Sequence, residues 1–452
     1  MYVRRRRYVR SERSRPPGPE LPPAGGLSSP PQTFRPSMPP MHVVIVGNGI
    51  AGVTAARHVR KLSPARVTLV SDETASPYSR TALMYVYMGT LTQAHTHLYE
   101  ERFWEENRID RVVDRVERLD PAAQRLDLRD GGALGYDRLL VATGSTPVLP
   151  PWPGHDLAGV QGLYHLADLE RLEAATPDAE AGVVVGGGLI GVELAEMLRV
   201  RGKAVTFLVR EARYSPRVLV PEESALVAGA IRAHGIDLRL GTEVARVEGG
   251  DRVEAVVTTA GDRVAAGVVG VGTGVRPNVG WLAESGLEVD RGVLVDEALR
   301  TSADGVFAAG DCAQLRTPPP GEPPTRPIWY TARLQGATAA FGLVDRPRAY
   351  APGVFFNSAK FFDLEYQTYG AATGEPPDGE ANWAVSDGRR SVRIQHRTDA
   401  GQAVVGVTSL GVRLRQAVCA RWVADGVGLG QARRELRLAN FDPEFTRPLV
   451  EA

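Results

Sequence analysis

Two stretches of the chain share one pattern of apolar and polar positions. Val43 to Val46 is a short, wholly apolar run, the signature of a parallel strand covered on both faces. It ends in Gly47-Asn48-Gly49-Ile50-Ala51-Gly52, after which Ile50, Val53, Ala56 and Val59 recur at helical spacing. Val67 to Val70 predicts the next strand, and Asp72 lies just beyond its end. The design then repeats. Val183 to Val185 runs into Gly186-Gly187-Gly188-Leu189-Ile190-Gly191, a helix is expected through Leu198, and Val205 to Val209 closes the unit. Strand, glycine turn, helix, strand, occurring twice, predicts two dinucleotide-type β-α-β folds in one chain.

The character changes toward the C-terminus. Residues 382 to 410 alternate apolar and polar around the turn signals Asp387-Gly388 and Asp399-Ala400-Gly401, which predicts a three-stranded antiparallel meander. A helix is expected from Val412 to Ala424, with Leu414, Val418 and Trp422 on one stripe. The expected class is therefore α/β: two Rossmann-like dinucleotide-binding domains, plus a C-terminal α+β domain. Residues 1–40 hold ten prolines, an arginine run from Arg4 to Arg7 and almost no apolar periodicity, so they are expected to be a disordered basic tail. The apolar stretch that a twin-arginine export signal needs is missing after the arginines. Met41 directly precedes the first strand, so translation beginning there is the alternative to a genuine extension.

Charge and composition narrow the function classes. The chain carries 53 basic and 53 acidic residues, but the first 40 residues hold a net +6 and the rest a net −6. Arginine outnumbers lysine 50 to 3 and is scattered rather than clustered, which reflects base composition and weighs against a nucleic-acid binder. Cys312 and Cys419 are the only cysteines. With no C-x-x-C, a disulfide scaffold, a structural zinc site and an iron–sulfur cluster all lack ligands, and no metal site is expected. His95-Thr96-His97 has no accompanying ligand cluster and reads as a surface loop. Apolar runs break well before the ~18 residues of a membrane span, so a soluble, cytoplasmic protein is expected.

The glycine turns carry the candidate chemistry. Gly47 and Gly186 would allow the tight turn, Gly49 and Gly188 the approach of a pyrophosphate, and Gly52 and Gly191 close packing of helix on strand. The helix-start amides at Ile50, Ala51, Leu189 and Ile190 would face the anion. Aligning the second strands sets Asp72 opposite Arg210. An acid there accepts hydrogen bonds from ribose hydroxyls, which fits an unphosphorylated adenosine such as that of FAD. An arginine pairs with a 2′-phosphate, which favours NADPH, whereas the adjacent Glu211 could reach the ribose of NADH.

With these residues in place, the chain from Met41 onward resembles the pyridine nucleotide–disulfide oxidoreductase superfamily. Within it, the likeness is to the branch of ferredoxin and rubredoxin reductases, NADH oxidases and the flavin-bearing part of nitrite reductases. Six motifs stand in family order: Gly47 to Gly52, Pro77-Tyr78-Ser79-Arg80, Ala142-Thr143-Gly144, Gly186 to Gly191, Gly274-Val275-Arg276-Pro277-Asn278 and Gly310-Asp311. The resemblance implies an FAD-binding domain from 41–156 and 271–345, an NAD(P)-binding domain at 157–270 and a C-terminal interface domain at 346–452. It also implies that Asp311 holds the FAD ribityl chain and that Trp329-Tyr330, leading into Gln335-Gly336, lies next to the flavin. Phe103-Trp104 could line an acceptor pocket or fill a core.

One departure from the family is decisive. Met41 to Asp311 contains no cysteine, so thiol-mediated transfer is excluded. Cys312 reads as a small buried side chain, and Cys419 as core or interface. Hydride transfer from NAD(P)H to FAD remains, with electrons leaving to an external acceptor. A ferredoxin- or rubredoxin-type protein leads; a quinone, oxygen, or a non-turnover sensor function are the alternatives. Arg80 is the expected cation beside the reduced flavin. Relatives carry a lysine that pairs with a glutamate near flavin N5; Tyr85 stands at the lysine position, and the glutamate survives as Glu193. Either Arg80 becomes the partner of Glu193, or Glu193 does something else. The C-terminal helix offers a homodimer contact, and the acidic body sits awkwardly with an acidic ferredoxin.

Overall fold

A computed structural model describes residues 40–319, 322–444 and 449, so the expected tail before Pro40 lies outside the described residues. Each glycine-turn strand became the centre of a five-stranded parallel sheet. In the first sheet the order is Val306–Ala308, Arg138–Val141, His42–Val46, Arg66–Ser71, Ile109–Val113. In the second it is Ile236–Leu240, Ala204–Val209, Ala181–Val185, Val268–Val271, Val160–Gln161. The central strands are buried from their second residue onward, as two covered faces require. A small three-stranded antiparallel sheet accompanies each: Val116–Asp120, Arg125–Leu128 and Ala133–Gly135, then Val244–Gly249, Val253–Thr258 and Arg263–Ala265.

Helix Ile50–Leu62 packs against helix Trp329–Leu343. Gly336 makes this contact possible, since a Cβ there would lie 2.2 Å from the carbonyl oxygen of Ala51. Phe103-Trp104 is core: Trp104 is buried and packs edge-on to Phe103. Cys312 and Cys419 are both fully buried.

The C-terminal sheet has five antiparallel strands, not three. The meander Glu380–Ser386, Ser391–Arg397, Val404–Leu410 is present, but Leu364–Gly370 pairs with its last strand and Phe356–Phe361 forms the edge. Ser358, Lys360, Glu365 and Gln367 share one face of these two strands and line a large cleft, while Phe361 and Tyr366 on the opposite face are buried. The helix after the sheet is Gln416–Ala424, shorter than expected because the preceding residues are extended: Leu414 bridges Asn440, its N–H donates to the Gln367 side chain at 2.7 Å, and Arg415 keeps an extended backbone. Trp422 is buried, and its indole N–H donates to Glu435 at 2.7 Å. Among the described residues no helix is long and apolar enough to cross a membrane.

Candidate functional site

The two glycine turns are built alike. The N–H of Gly47 donates to the carbonyl of Val70 at 2.8 Å, and that of Gly186 to Leu208 at 2.9 Å. Both first glycines adopt a left-handed φ, +111° and +109°. A Cβ would strike the crossing chain, Ala142 at 2.1 Å in one turn and Gly272 at 2.5 Å in the other. The third glycines press on the carbonyls of the first, so that a Cβ on Gly52 or Gly191 would sit 2.0 or 1.9 Å from that oxygen. The middle glycines differ. Nothing of the protein lies within 4 Å of a Cβ on Gly49, and the nearest atom to one on Gly188 is 3.7 Å away. The protein therefore leaves space at each helix N-terminus, where free amides favour an anion.

That space belongs to one cleft of about 1150 Å³. Gly47, Gly49, Ile50 and Ala51 reach it from the first turn, and Gly188, Leu189 and Ile190 from the second. Asp72, the Ala142-Thr143-Gly144 turn, Gly274, Gly310, Asp311 and Trp329 also line it, together with Arg80 and Glu193. Gly52, Gly186 and Gly191 stand behind it as packing residues. Arg210 and Glu211 are not brought into the cleft. The matched hydrogen bonds of Val70 and Leu208 do place Arg210 opposite Asp72, but its Nε donates to Glu211 at 3.0 Å on the surface.

On one wall, the hydroxyl of Tyr164 donates to Asp311 at 3.1 Å while accepting from the backbone N–H of Ser145 at 3.0 Å. Burial raises the pKa of the Asp311 carboxyl, with the Tyr164 hydrogen bond opposing. Next to it Arg80 is already paired, and not with Glu193. Its Nη2 donates to Glu73 at 2.7 Å, and its Nη1 to the Tyr78 hydroxyl at 2.9 Å and the Tyr164 carbonyl at 3.1 Å. The guanidinium also stacks over the rings of Tyr78 and Tyr164. Burial works against ionised Glu73, but hydrogen bonds from His165, Arg80 and Tyr78 and the Arg80 charge outweigh it and hold the carboxyl below its ordinary range.

Glu193 is left without a cation: its carboxylate makes no hydrogen bond or ion pair among the described residues. Desolvation, then the charge of Glu196 one turn on, pushes its pKa up to about 7. Since the unfolded carboxyl ionises near 4.5, this group favours the fold fully below that pH, and the contribution is lost as pH rises through about 7. Glu193→Gln is therefore expected to raise the melting temperature above pH 7 and to leave it unchanged near pH 4. Melting curves across that range check the sign.

Sequence reasoning missed Glu73, Tyr164 and His165, along with the whole C-terminal wall. Glu73 had a signal, an acid seven residues before Arg80 with Tyr78 between. Tyr164 and His165 belong to no motif, and only the fold carries them to Asp311 and Arg80. His95 lies in the short 3-10 helix Gln93–Thr96 rather than a loop and His97 follows it, and among the described residues no group of His, Cys, Asp or Glu is placed to hold a metal.

The profile of the family described as pyridine nucleotide-disulphide oxidoreductase matches residues 41–336. The chain belongs to this family. Rhodocoxin reductase from Rhodococcus erythropolis is 37% identical over 282 residues, 62% of this chain and 66% of that protein, so the match spans just under two thirds of the relative. The 5,5'-dehydrodivanillate O-demethylase ferredoxin reductase subunit of Sphingobium is 34% identical over 74% of this chain and 82% of its own. Among solved structures, a ferredoxin reductase from Rhodopseudomonas palustris superposes with a TM-score of 0.75 at 28% identity, covering 82% of this chain and 91% of the other. Within this oxidoreductase family the chain is a member without a redox disulfide. Its two cysteines are buried, and the Cys312 thiol donates to the carbonyls of Val141 and Ala309 behind the cleft.

Proposed function

We propose that this chain is an FAD-dependent NAD(P)H oxidoreductase of the ferredoxin and rubredoxin reductase type, working in the cytoplasm. The observation that carries the reading is that two anion-accepting turns open on one cleft with no thiol between them. FAD suits the first turn: Gly49 leaves room for a pyrophosphate, Asp72 meets the cleft where ribose hydroxyls would lie, and Asp311 offers a carboxylate to the ribityl chain. Residues 41–156 and 271–345 would form this half and 157–270 the nicotinamide-nucleotide half. The C-terminal sheet would close the cleft from the side.

When bound, FAD would supply hydride acceptance and one-electron release. The chain's own residues would orient and screen. Arg80 brings a guanidinium paired with Glu73 to the cleft, Leu189 and Ile190 carry the second helix start to it, and Trp329 and Tyr330 stand at its mouth with more than a third of each exposed. The acceptor is proposed to be a small one-electron carrier protein. The net acidity of the body is relieved at this mouth, where the guanidinium of Arg333 lies over Trp329 with no carboxylate partner among the described residues. Arg210 is proposed to favour NADPH, with its present bond to Glu211 exchanged for the 2′-phosphate.

Purified protein is expected to show a flavin spectrum, to bleach with NAD(P)H and to reduce ferricyanide and a small ferredoxin. Bleaching without acceptor reduction would replace this reading with that of a nucleotide sensor. Arg210→Ala should raise the KM for NADPH at least about tenfold, the worth of one charge-assisted contact, and hardly change that for NADH. Equal effects would reduce Arg210 to a surface residue.

A further inference from the structure

The Arg80 guanidinium does not face the cleft as a bare cation. Behind it, outside the cleft lining, Glu73 is fixed from three sides: Arg80 at 2.7 Å, the hydroxyl of Tyr78, and the backbone N–H of Leu166 at 2.7 Å. His165 Nδ1 stands 3.6 Å from the same carboxylate and 3.2 Å from Arg80 Nη1. Only 14% of the Glu73 side chain is exposed, against 27% for Arg80, so both members of the pair are largely shielded from solvent. No other carboxylate lies within ion-pair distance of Arg80 among the described residues.

We propose that Glu73 is a positioning residue that fixes Arg80 against the cleft and offsets its charge, so that the bound flavin meets a nearly neutral pair. This rests on FAD occupying the cleft as proposed above. The consequence is a definite sign pattern. Reduction adds negative charge to the flavin, so a bare cation favours the reduced form and a bare carboxylate opposes it. Glu73→Gln leaves Arg80 uncompensated, and Arg80→Gln leaves Glu73 uncompensated. The two substitutions should move the midpoint potential in opposite directions, up and down respectively. Removing both charges should return it close to the parent value. A purely structural role for Glu73 predicts instead that both single variants shift together or lose flavin alike.

The test is a spectroelectrochemical titration of the FAD-loaded protein and of Glu73→Gln, Arg80→Gln, the double variant and Glu73→Asp. Each single charge change is expected to alter the ratio of oxidised to reduced flavin at fixed potential by about tenfold, as one charge at several ångströms in a partly screened site would. Glu73→Asp, which keeps the charge, should stay near the parent. A Glu73→Gln potential that is unchanged, or that falls with Arg80→Gln, overturns the proposal. Should Glu73→Gln lose its flavin, the double variant decides: flavin retained at the parent potential upholds charge compensation, and flavin lost again rejects it. Failure of the unmodified protein to bind FAD would reject the functional reading itself, a distinct result.

Discussion

Asp311→Ala is expected to yield a folded protein that purifies without flavin. Asp311 follows Gly310, whose φ of +83° turns the chain after strand Val306–Ala308 and whose N–H is held by the side chain of Gln335 at 2.8 Å. The turn is fixed from both sides, since a Cβ on Gly310 would come within 3.0 Å of the Ala51 side chain at the start of the first helix. Tyr164 then orients the carboxylate toward the cleft. A hydrogen bond to a charged group contributes ~1.5–3 kcal/mol, so FAD affinity should fall about ten- to a hundredfold. Asp311→Asn keeps the shape without the charge and should lie between. Because burial disfavours this carboxyl in the folded state, the melting temperature of the flavin-free protein should not drop. Titration of flavin-free protein with FAD gives the affinities. Full flavin occupancy in the alanine variant would remove Asp311 from the site.

The glycine turns were legible in the sequence because their constraints are local. Gly47 and Gly52 each meet a backbone carbonyl within a few residues or on the adjoining strand, and a residue with a side chain cannot stand there. The same locality made Asp311 and the Ala142-Thr143-Gly144 turn readable by motif. What stayed hidden was pairing between distant segments. Arg80 showed itself as a cation near the cleft, but its carboxylate lies behind it and its stacking partner Tyr164 is 84 positions away in the chain. The role of the strands Phe356–Phe361 and Leu364–Gly370 was hidden for another reason. Alternation such as Leu364-Glu365-Tyr366-Gln367 reports which face is buried, but not that the opposite, polar face lines a cleft instead of meeting bulk solvent.

The largest effect on stability is expected from the other pairing that sequence could not reveal. Arg393, on strand Ser391–Arg397, and Glu223, in the first turn of helix Pro221–Ala233, form an ion pair at 2.9 Å with side chains 1% and 2% exposed. Arg393 Nη2 also donates to the carbonyl of Val218 at 2.8 Å and to Thr408 at 3.1 Å, and Nη1 to the carbonyl of Thr373 at 3.0 Å. Glu223 in turn accepts from the N–H of Val220, closing the helix start. The pair thus joins the C-terminal sheet to the helix that connects strands Ala204–Val209 and Ile236–Leu240 of the second parallel sheet. Arg393→Met would leave Glu223 charged and buried without its cation, which costs ~3–5 kcal/mol and lowers the melting temperature by on the order of 10 °C. Glu223→Leu should cost a comparable amount, because Arg393 would keep only neutral acceptors. Replacing both partners removes the stranded charge, so Glu223→Leu with Arg393→Met should recover most of the loss. Since the same sheet supplies Lys360, Glu365 and Gln367 to the cleft, the single variants should also become more sensitive to limited proteolysis between helix Trp329–Leu343 and residue 356. Thermal melts of the two single variants and the double variant decide the matter. Single variants melting within a degree or two of the parent would show that the pair contributes nothing to holding the sheet in place.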